Sequence, residues 1–434
     1  LESDVIPVLV KMRRRGVRID TSRLEEVESW SLQQEREAIE AIREQTGYNI
    51  GVGNVWNANA LVPALQAAGV EPGRTRQGKY SVDQELLKNA RHPVAEKIHW
   101  ARKVNKLRTT FASSIRDHMV VAPDGEARIH CTFNQLARED DDGSIKGARY
   151  GRLSSEHPNM QQQPARDEFA AFWRSIYLPE QGCVWGVNDY SQQEPRWLTH
   201  YAEALKLPGA HEAAERYRND PEADNHSMMA ELTGLPRKQA KIIFLGLCYG
   251  MGGPKLCRDL GYPTRYAVRE PRRGGRVFDV NSEEGQRLQR EGQPVFEAAG
   301  EEGQEILDKF DQRSPFVRRA SQSAAKKAKQ RGYIVTAGGR RCHFPLDQAG
   351  NVDWTHKALN RLIQGSSADQ TKRAMVELDR EGYFIQLQVH DETDGSFENR
   401  AEAEGAAKVM RECMPARVPF KVDCEVGPNW GEAK

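Results

Sequence analysis

The chain has 434 residues, 38% hydrophobic and 29% charged, too long for one ordinary core and consistent with two or three subdomains of a soluble globular enzyme. No apolar run approaches the roughly 20 residues of a membrane helix, and Leu1-Glu2-Ser3-Asp4 lacks the basic and apolar regions of a signal peptide. The net charge of +1, from 63 basic and 62 acidic residues, gives nucleic-acid binding no overall support, so any such support must come from local clusters.

In chain order, Val5, Val8, Leu9 and Met12 recur at helical spacing, and the helix should stop at Gly16. A long polar helix is expected from about 21 to 44, capped by Thr21 or Ser22. Another is expected over 93–118, carrying Arg102, Lys103, Lys106 and Arg108. Short apolar alternation predicts strands at 127–134, 183–189, 332–337 and 384–389. Helical stretches separate them, so the fold class is mixed α/β. Residues 263–299, rich in Gly, Arg and Glu, read as an inserted surface element with a small hairpin around Arg273-Gly274-Gly275-Arg276. Basic clusters lie at 11–15, 102–108, 272–276 and 318–331; each alone reads as a solvated helix face. Seven scattered cysteines without a Cys-x-x-Cys pair argue against a disulfide framework or zinc site and for a reducing setting. A chain starting at Leu1 rather than Met is expected of a fragment.

Three segments carry chemistry. In Cys183-Val-Trp-Gly-Val-Asn-Asp189-Tyr190-Ser-Gln192-Gln-Glu194-Pro195-Arg196, an apolar strand delivers a carboxylate to its end and a helix follows. Taken alone, such an aspartate is a helix cap or a surface residue. In Phe384-Ile-Gln-Leu-Gln-Val-His390-Asp391-Glu392, alternation places the acidic residues at a turn between strands. Brought together by a sheet, the two carboxylates could hold paired Mg²⁺ ions, one activating a 3′-hydroxyl and one stabilising leaving pyrophosphate. In the third segment, Arg237, Lys241, Leu245 and Tyr249 step by four along a helix. Two cations, an apolar residue and an aromatic match a nucleoside triphosphate; the plainer alternative is an amphipathic helix with surface cations.

Together the three segments closely resemble motifs A, C and B of family A DNA polymerases, the bacterial DNA polymerase I type, and they fall in that family's order. Thr132-Phe-Asn, the stretch from Gly151-Arg152 through Pro158-Asn159-Met-Gln161, Asp224-Asn-His226 and Asn360-Arg-Leu-Ile-Gln364-Gly-Ser-Ser-Ala-Asp369 extend the resemblance. Val5-Ile-Pro7 with Gly16-Val-Arg-Ile-Asp20 resembles the start of the family's thumb. Nearly the whole chain is covered except the insert.

The resemblance implies a right-hand fold: a helical thumb (1–145, with the palm beginning near 127), an antiparallel-sheet palm (146–205 and 346–434) and helical fingers (206–345). It implies Asp189, Asp391 and the Tyr190 backbone carbonyl as ligands of two Mg²⁺ ions, with Mn²⁺ as a substitute, and Glu392 as support for that site. Arg237, Lys241 and His226 would meet the incoming dNTP, with Lys241 a proton donor to pyrophosphate. Glu194 would block a ribose 2′-hydroxyl beside Tyr249, Leu245 and Gln192. Arg152, Gln364, Asn360, Asn159, Gln161 and His390 would contact primer–template DNA, and Lys103, Lys106 and Arg108 would grip duplex phosphates. It further implies a monomeric cytoplasmic enzyme of a bacterial or phage-infected cell, open to replication accessory proteins.

Departures from the family pattern include Leu245 for Phe or Tyr, Phe244 for Asn, Pro195 for an aliphatic residue and His356 for Arg. After Glu392, Thr-Asp-Gly-Ser-Phe replaces an apolar strand, so Asp394 is expected in a surface turn. These point loosely to a phage enzyme. The chain begins at the thumb, leaving open a proofreading exonuclease in the parent protein. A single-subunit RNA polymerase and a non-catalytic DNA-binding relative are the rival readings; Glu194 and the Gln-Val-His-Asp-Glu segment favour DNA synthesis.

Overall fold

The computed structural model describes residues 1–123, 125–139, 145–146, 150–272 and 275–433. The first helix, Glu2–Arg15, buries Val5, Val8, Leu9 and Met12 on one stripe. It ends at Gly16, where φ is 64° and a Cβ would lie 2.6 Å from the Ile129 carbonyl oxygen; only glycine allows both. The chain then enters strand Val17–Ile19, the second strand of a four-stranded sheet with Tyr177–Leu178 on one side and Ala127–Ile129, then Met119–Val121, on the other.

Helix Thr21–Thr46 is capped by Asp20, whose carboxylate accepts from the Arg23 N–H at 2.9 Å, rather than by Thr21 or Ser22. It packs along Pro93–Lys106, which continues through a π-helical turn, Leu107–Ala112, into Ser113–His118. The predicted single helix is thus continuous in path but widened in the middle. Glu35 is fully buried between these helices and accepts from the Gly53 N–H (2.8 Å), Asn105 (3.0 Å) and Arg108 (2.8 Å). The strand expected over 127–134 divides: Thr132–Asn134 leaves the sheet and pairs with Ser154–Glu156.

The central sheet is antiparallel, in the order Ile385–Val389, Glu392–Phe397, Val184–Ser191, Lys421–Gly427. Helix Arg400–Glu412 covers one face, and Gly186 leaves room there for the Phe397 ring and Ala403. A register shift between Ile385 and Leu387 puts a bulge in the strand leading to Asp391, a device that re-aims residues beside functional sites. Asp394 corrects the expectation of a surface turn. It is fully buried in strand Glu392–Phe397, opposite Leu387 on one side and Val187 on the other. The strand persists because Gly395 has no Cβ to meet the Phe384 carbonyl.

A helical lobe is inserted between strand Val184–Ser191 and the other three strands of the central sheet: Ala210–Asn219, Asn225–Thr233, Arg237–Cys248, Gly253–Leu260, Glu301–Arg313 and Pro315–Arg331. The insert is folded. Thr264–Arg269 pairs with Val277–Asp279 and Val295–Ala299, and helix Glu283–Arg290 is capped by Ser282. The expected hairpin joins the first two strands, with Arg273 and Gly274 of its turn outside the described residues. Helix Ala358–Arg380 passes behind the central sheet and is buried for most of its length. All seven cysteines are free thiols. No helix among the described residues is long and apolar enough to cross a membrane.

Candidate active site

Asp189 lies near the end of strand Val184–Ser191, paired in register with Glu392. Next to it, the Tyr190 N–H donates to the Asp391 carbonyl at 3.3 Å. Sheet pairing therefore does what the sequence could only suggest: it sets Asp189 opposite Glu392 on the neighbouring strand, with Asp391 in the turn just before it. The connection after Val389 has two residues, His390 and Asp391, because Val389 pairs with Glu392. His390 takes φ 61°, as the primed turns of two-residue hairpins demand.

Several side chains fix that turn. Gln161 donates to the Gln388 side chain at 2.8 Å, and Gln388 in turn donates to the His390 carbonyl. Asn159 accepts from the Gln161 N–H at 3.1 Å and caps the short turn Met160–Gln162. Asn159 and Gln161, expected as DNA contacts, thus brace the hairpin in this structure. The Tyr190 ring is buried, and its hydroxyl donates to the Met410 carbonyl at 2.5 Å. Glu392 accepts a long contact from the Trp430 indole, 3.4 Å. His390 is exposed.

Asp391 has its carboxyl pushed above the ordinary range, first by burial and then by the negative charge of Glu194. A divalent cation between such groups would relieve both costs. The donors are oxygens, the set that suits Mg²⁺, Ca²⁺ or Mn²⁺. Among the described residues no cluster of three or more His, Cys, Asp or Glu is assembled for a metal. The residues present fit Mg²⁺, which usually keeps waters and phosphates in its shell.

Glu194 joins the two halves of the site. Arg152 donates to one of its oxygens at 2.8 Å and the Tyr249 hydroxyl to the other. Burial and Glu194 together hold the Tyr249 phenol well above its usual range, so it stays a donor. Helix Arg237–Cys248 ends just before Tyr249, which is its C-cap rather than a helical residue. Lys241 is exposed on this helix and Leu245 is half-buried. Arg237 is turned onto Asp224 at 2.7 Å and Ser227 at 3.2 Å. The His226 side chain lies outside the described residues.

Gln192 is a brace more than a ligand here: φ is 55°, its amide donates to the Ala223 carbonyl at 3.1 Å and accepts from the Asn225 N–H at 2.9 Å. Asn360 and Gln364 lie one turn apart on helix Ala358–Arg380, and the Asn360 Oδ1 is buried with no hydrogen-bond donor among the described residues. The thumb cations have partners within the protein. Arg108 points inward to Glu35, because a buried carboxylate must be paired. Lys103 pairs with Asp167 at 2.8 Å, and Lys106 sits 5.5 Å from the Phe111 ring centre. Sequence reading missed Arg196. Fully buried, it donates to the Ser191, Pro419 and Pro221 carbonyls (3.2, 2.6 and 2.6 Å) and ties the strand bearing Asp189 to its surroundings. A cation seven residues beyond Asp189, directly before the apolar Trp197-Leu198 of the same helix, was the available signal.

A family model described as "DNA polymerase family A" matches residues 23–270 and 293–432. The unmatched stretch, 271–292, is the middle of the insert. The chain is 56% identical over 442 residues to "DNA-directed DNA polymerase" of Pseudomonas phage M6, covering 100% of this chain and 66% of that protein. It is 28% identical over 464 residues to "DNA polymerase I" of Chloroflexus aurantiacus, covering 100% of this chain and 43% of that protein. The chain thus spans about two thirds of the phage relative and less than half of the bacterial one. Among solved structures, the POL domain of Pol1 from M. smegmatis, in complex with DNA primer–template and dNTP, superposes with a TM-score of 0.72 at 26% identity, covering 100% of this chain and 70% of that one.

Proposed function

Because the chain belongs to DNA polymerase family A, a family that generally uses divalent metal ions, we propose that it extends a DNA primer on a template, adding dNTPs to the 3′-hydroxyl with release of pyrophosphate. The observation that carries this reading is the sheet register that sets Asp189 opposite Glu392 and Tyr190 against the Asp391 carbonyl at the hairpin turn, with the charge of Glu194 felt at Asp391 and its carboxylate bonded to the tyrosine that ends the cationic helix. The work divides as thumb (1–145), palm (146–205 and 346–434) and fingers (206–345).

Asp189, Asp391 and the Tyr190 carbonyl would hold two Mg²⁺ ions, for which Mn²⁺ substitutes; bound there, such a pair neutralises charge on the attacking and leaving oxygens. The protein's part is positioning and charge neutralisation. Arg237 exchanges Asp224 for triphosphate oxygens, alongside His226, and Lys241 protonates the departing pyrophosphate. Glu194, held by Arg152 and Tyr249, fills the space a 2′-hydroxyl would need. Arg152, Asn360 and Gln364 face minor-groove acceptors and donors shared by correct pairs, which suits an enzyme indifferent to sequence. His390 and Glu392 keep the hairpin and primer end in place. The setting is phage DNA replication in the cytoplasm of an infected cell, as a monomer that can work with accessory proteins.

Pyrophosphate release that requires primer and template together is the expected result; release without a primer would contradict the reading. Leu245 offers a sharper check on sugar handling. Leu245→Tyr should raise the use of dideoxynucleotides against dNTPs by about tenfold, the worth of one added hydrogen bond. Direct competition on a sequencing template reads it. An unchanged preference would mean that Leu245 does not face the sugar.

A further inference from the structure

Helix Pro315–Arg331 carries Arg318, Arg319, Lys326, Lys327, Lys329 and Arg331 and no acidic residue. All six cations are exposed, and among the described residues only Arg318 forms an ion pair, with Asp311. The helix packs on the cationic helix Arg237–Cys248, on the start of Ala358–Arg380 and on the short turn Thr355–Lys357. Immediately before that turn stands Trp354, 45% exposed. Its φ of 58° is a left-handed conformation that bulky residues rarely adopt. The His356 ring lies 6.3 Å away at an interplanar angle of 27°, and the Lys357 ammonium is 3.9 Å from the indole centre.

An exposed aromatic with a cation at its face, beside a track of unopposed cations, matches the chemistry of single-stranded nucleic acid: phosphates on the track, bases on the rings. The polymerase reading says which strand. Asn360 and Gln364 follow Trp354 on the same segment, about 9 and 15 Å further along at helical rise. The far end of helix Ala358–Arg380 reaches helix Glu2–Arg15, where Lys11 donates to Asp379 at 2.7 Å, while the helix also packs on Pro315–Arg331. With Asn360 and Gln364 set against the new pair, as in the polymerase reading above, Trp354 falls ahead of it, where template is still unpaired.

We propose that Trp354, with His356 and Lys357, is a stacking platform for the unpaired template strand, and that the basic face of Pro315–Arg331 guides its phosphates. This rests on the polymerase reading above and adds a binding surface to it. The test uses primer–template with a 5′ template overhang carrying a fluorescent adenine analogue, compared with a flush duplex. Trp354→Ala should weaken overhang binding about tenfold, the worth of one stacked base. It should also abolish the fluorescence change on binding, leave flush-duplex affinity unaltered, and be largely rescued by Trp354→Phe. Replacing Lys326, Lys327 and Lys329 with Ala should reduce the salt dependence of overhang binding by about two in log–log slope. Equal loss on both substrates, or none on either, would overturn the platform. If the unaltered protein bound neither substrate, the polymerase reading itself would fall.

Discussion

Asp391→Asn should cut nucleotide incorporation by about a thousandfold or more, as expected for removing a charge that the transition state requires, while primer–template affinity stays nearly unchanged. The reason is local. Asp391 sits in the two-residue turn of a hairpin braced by Gln388 and Gln161, so an isosteric amide keeps the fold and loses only the charge. A second consequence separates function from folding. Burial and Glu194 raise the Asp391 carboxyl in the folded chain; its protonated form therefore favours folding at low pH, and that stability is lost as pH rises through the raised value. At neutral pH without divalent ions, Asp391→Asn should melt at a higher temperature than the parent, and the gain should vanish in acid. Adding Mg²⁺ should stabilise the parent more than the variant. A variant that binds DNA poorly and melts early would show Asp391 to be structural.

Lys241→Ala should lower the rate of incorporation by roughly a hundredfold to a thousandfold, the range for losing a general acid or one charge-stabilising donor. Lys241 is exposed on the helix that ends at Tyr249, so its removal leaves no cavity and thermal stability should hold. Arg237 provides the contrast. Its guanidinium already has Asp224 as a partner, so Arg237→Ala should act mainly on dNTP affinity, raising KM more than it lowers kcat. Rapid-quench kinetics over a range of dNTP concentrations separates the two; equal kcat losses would assign both residues to phosphate binding alone.

The elements of regular period were legible in the sequence. The stripe Val5, Val8, Leu9 and Met12 and the alternation of Ile385, Leu387 and Val389 each repeat what packing requires. The approach of Asp189 to the turn that holds Asp391 was legible only through motif order, because no local pattern says which strands become neighbours. Asp394 misled because a charged residue beside glycine reads as a turn; tertiary burial in a central strand overrode that propensity. The partner of Arg108 was hidden for the converse reason. In a run of cations nothing local marks the one that must neutralise Glu35, 73 residues away. The bracing roles of Gln161 and Gln192 were hidden because both depend on partners distant in sequence, Gln388 and the segment 223–225.

Primer extension with Mg²⁺ on a defined template, run in parallel with dNTPs and rNTPs, tests the DNA-synthesising site most directly. The expected result is templated extension with dNTPs, little or none with rNTPs, and a shift toward rNTPs when Glu194 is replaced by Ala. No extension with either, or equal use of the two sugars by the unaltered protein, would contradict the assignment of Asp189, Asp391 and Glu194 to a DNA-synthesising site.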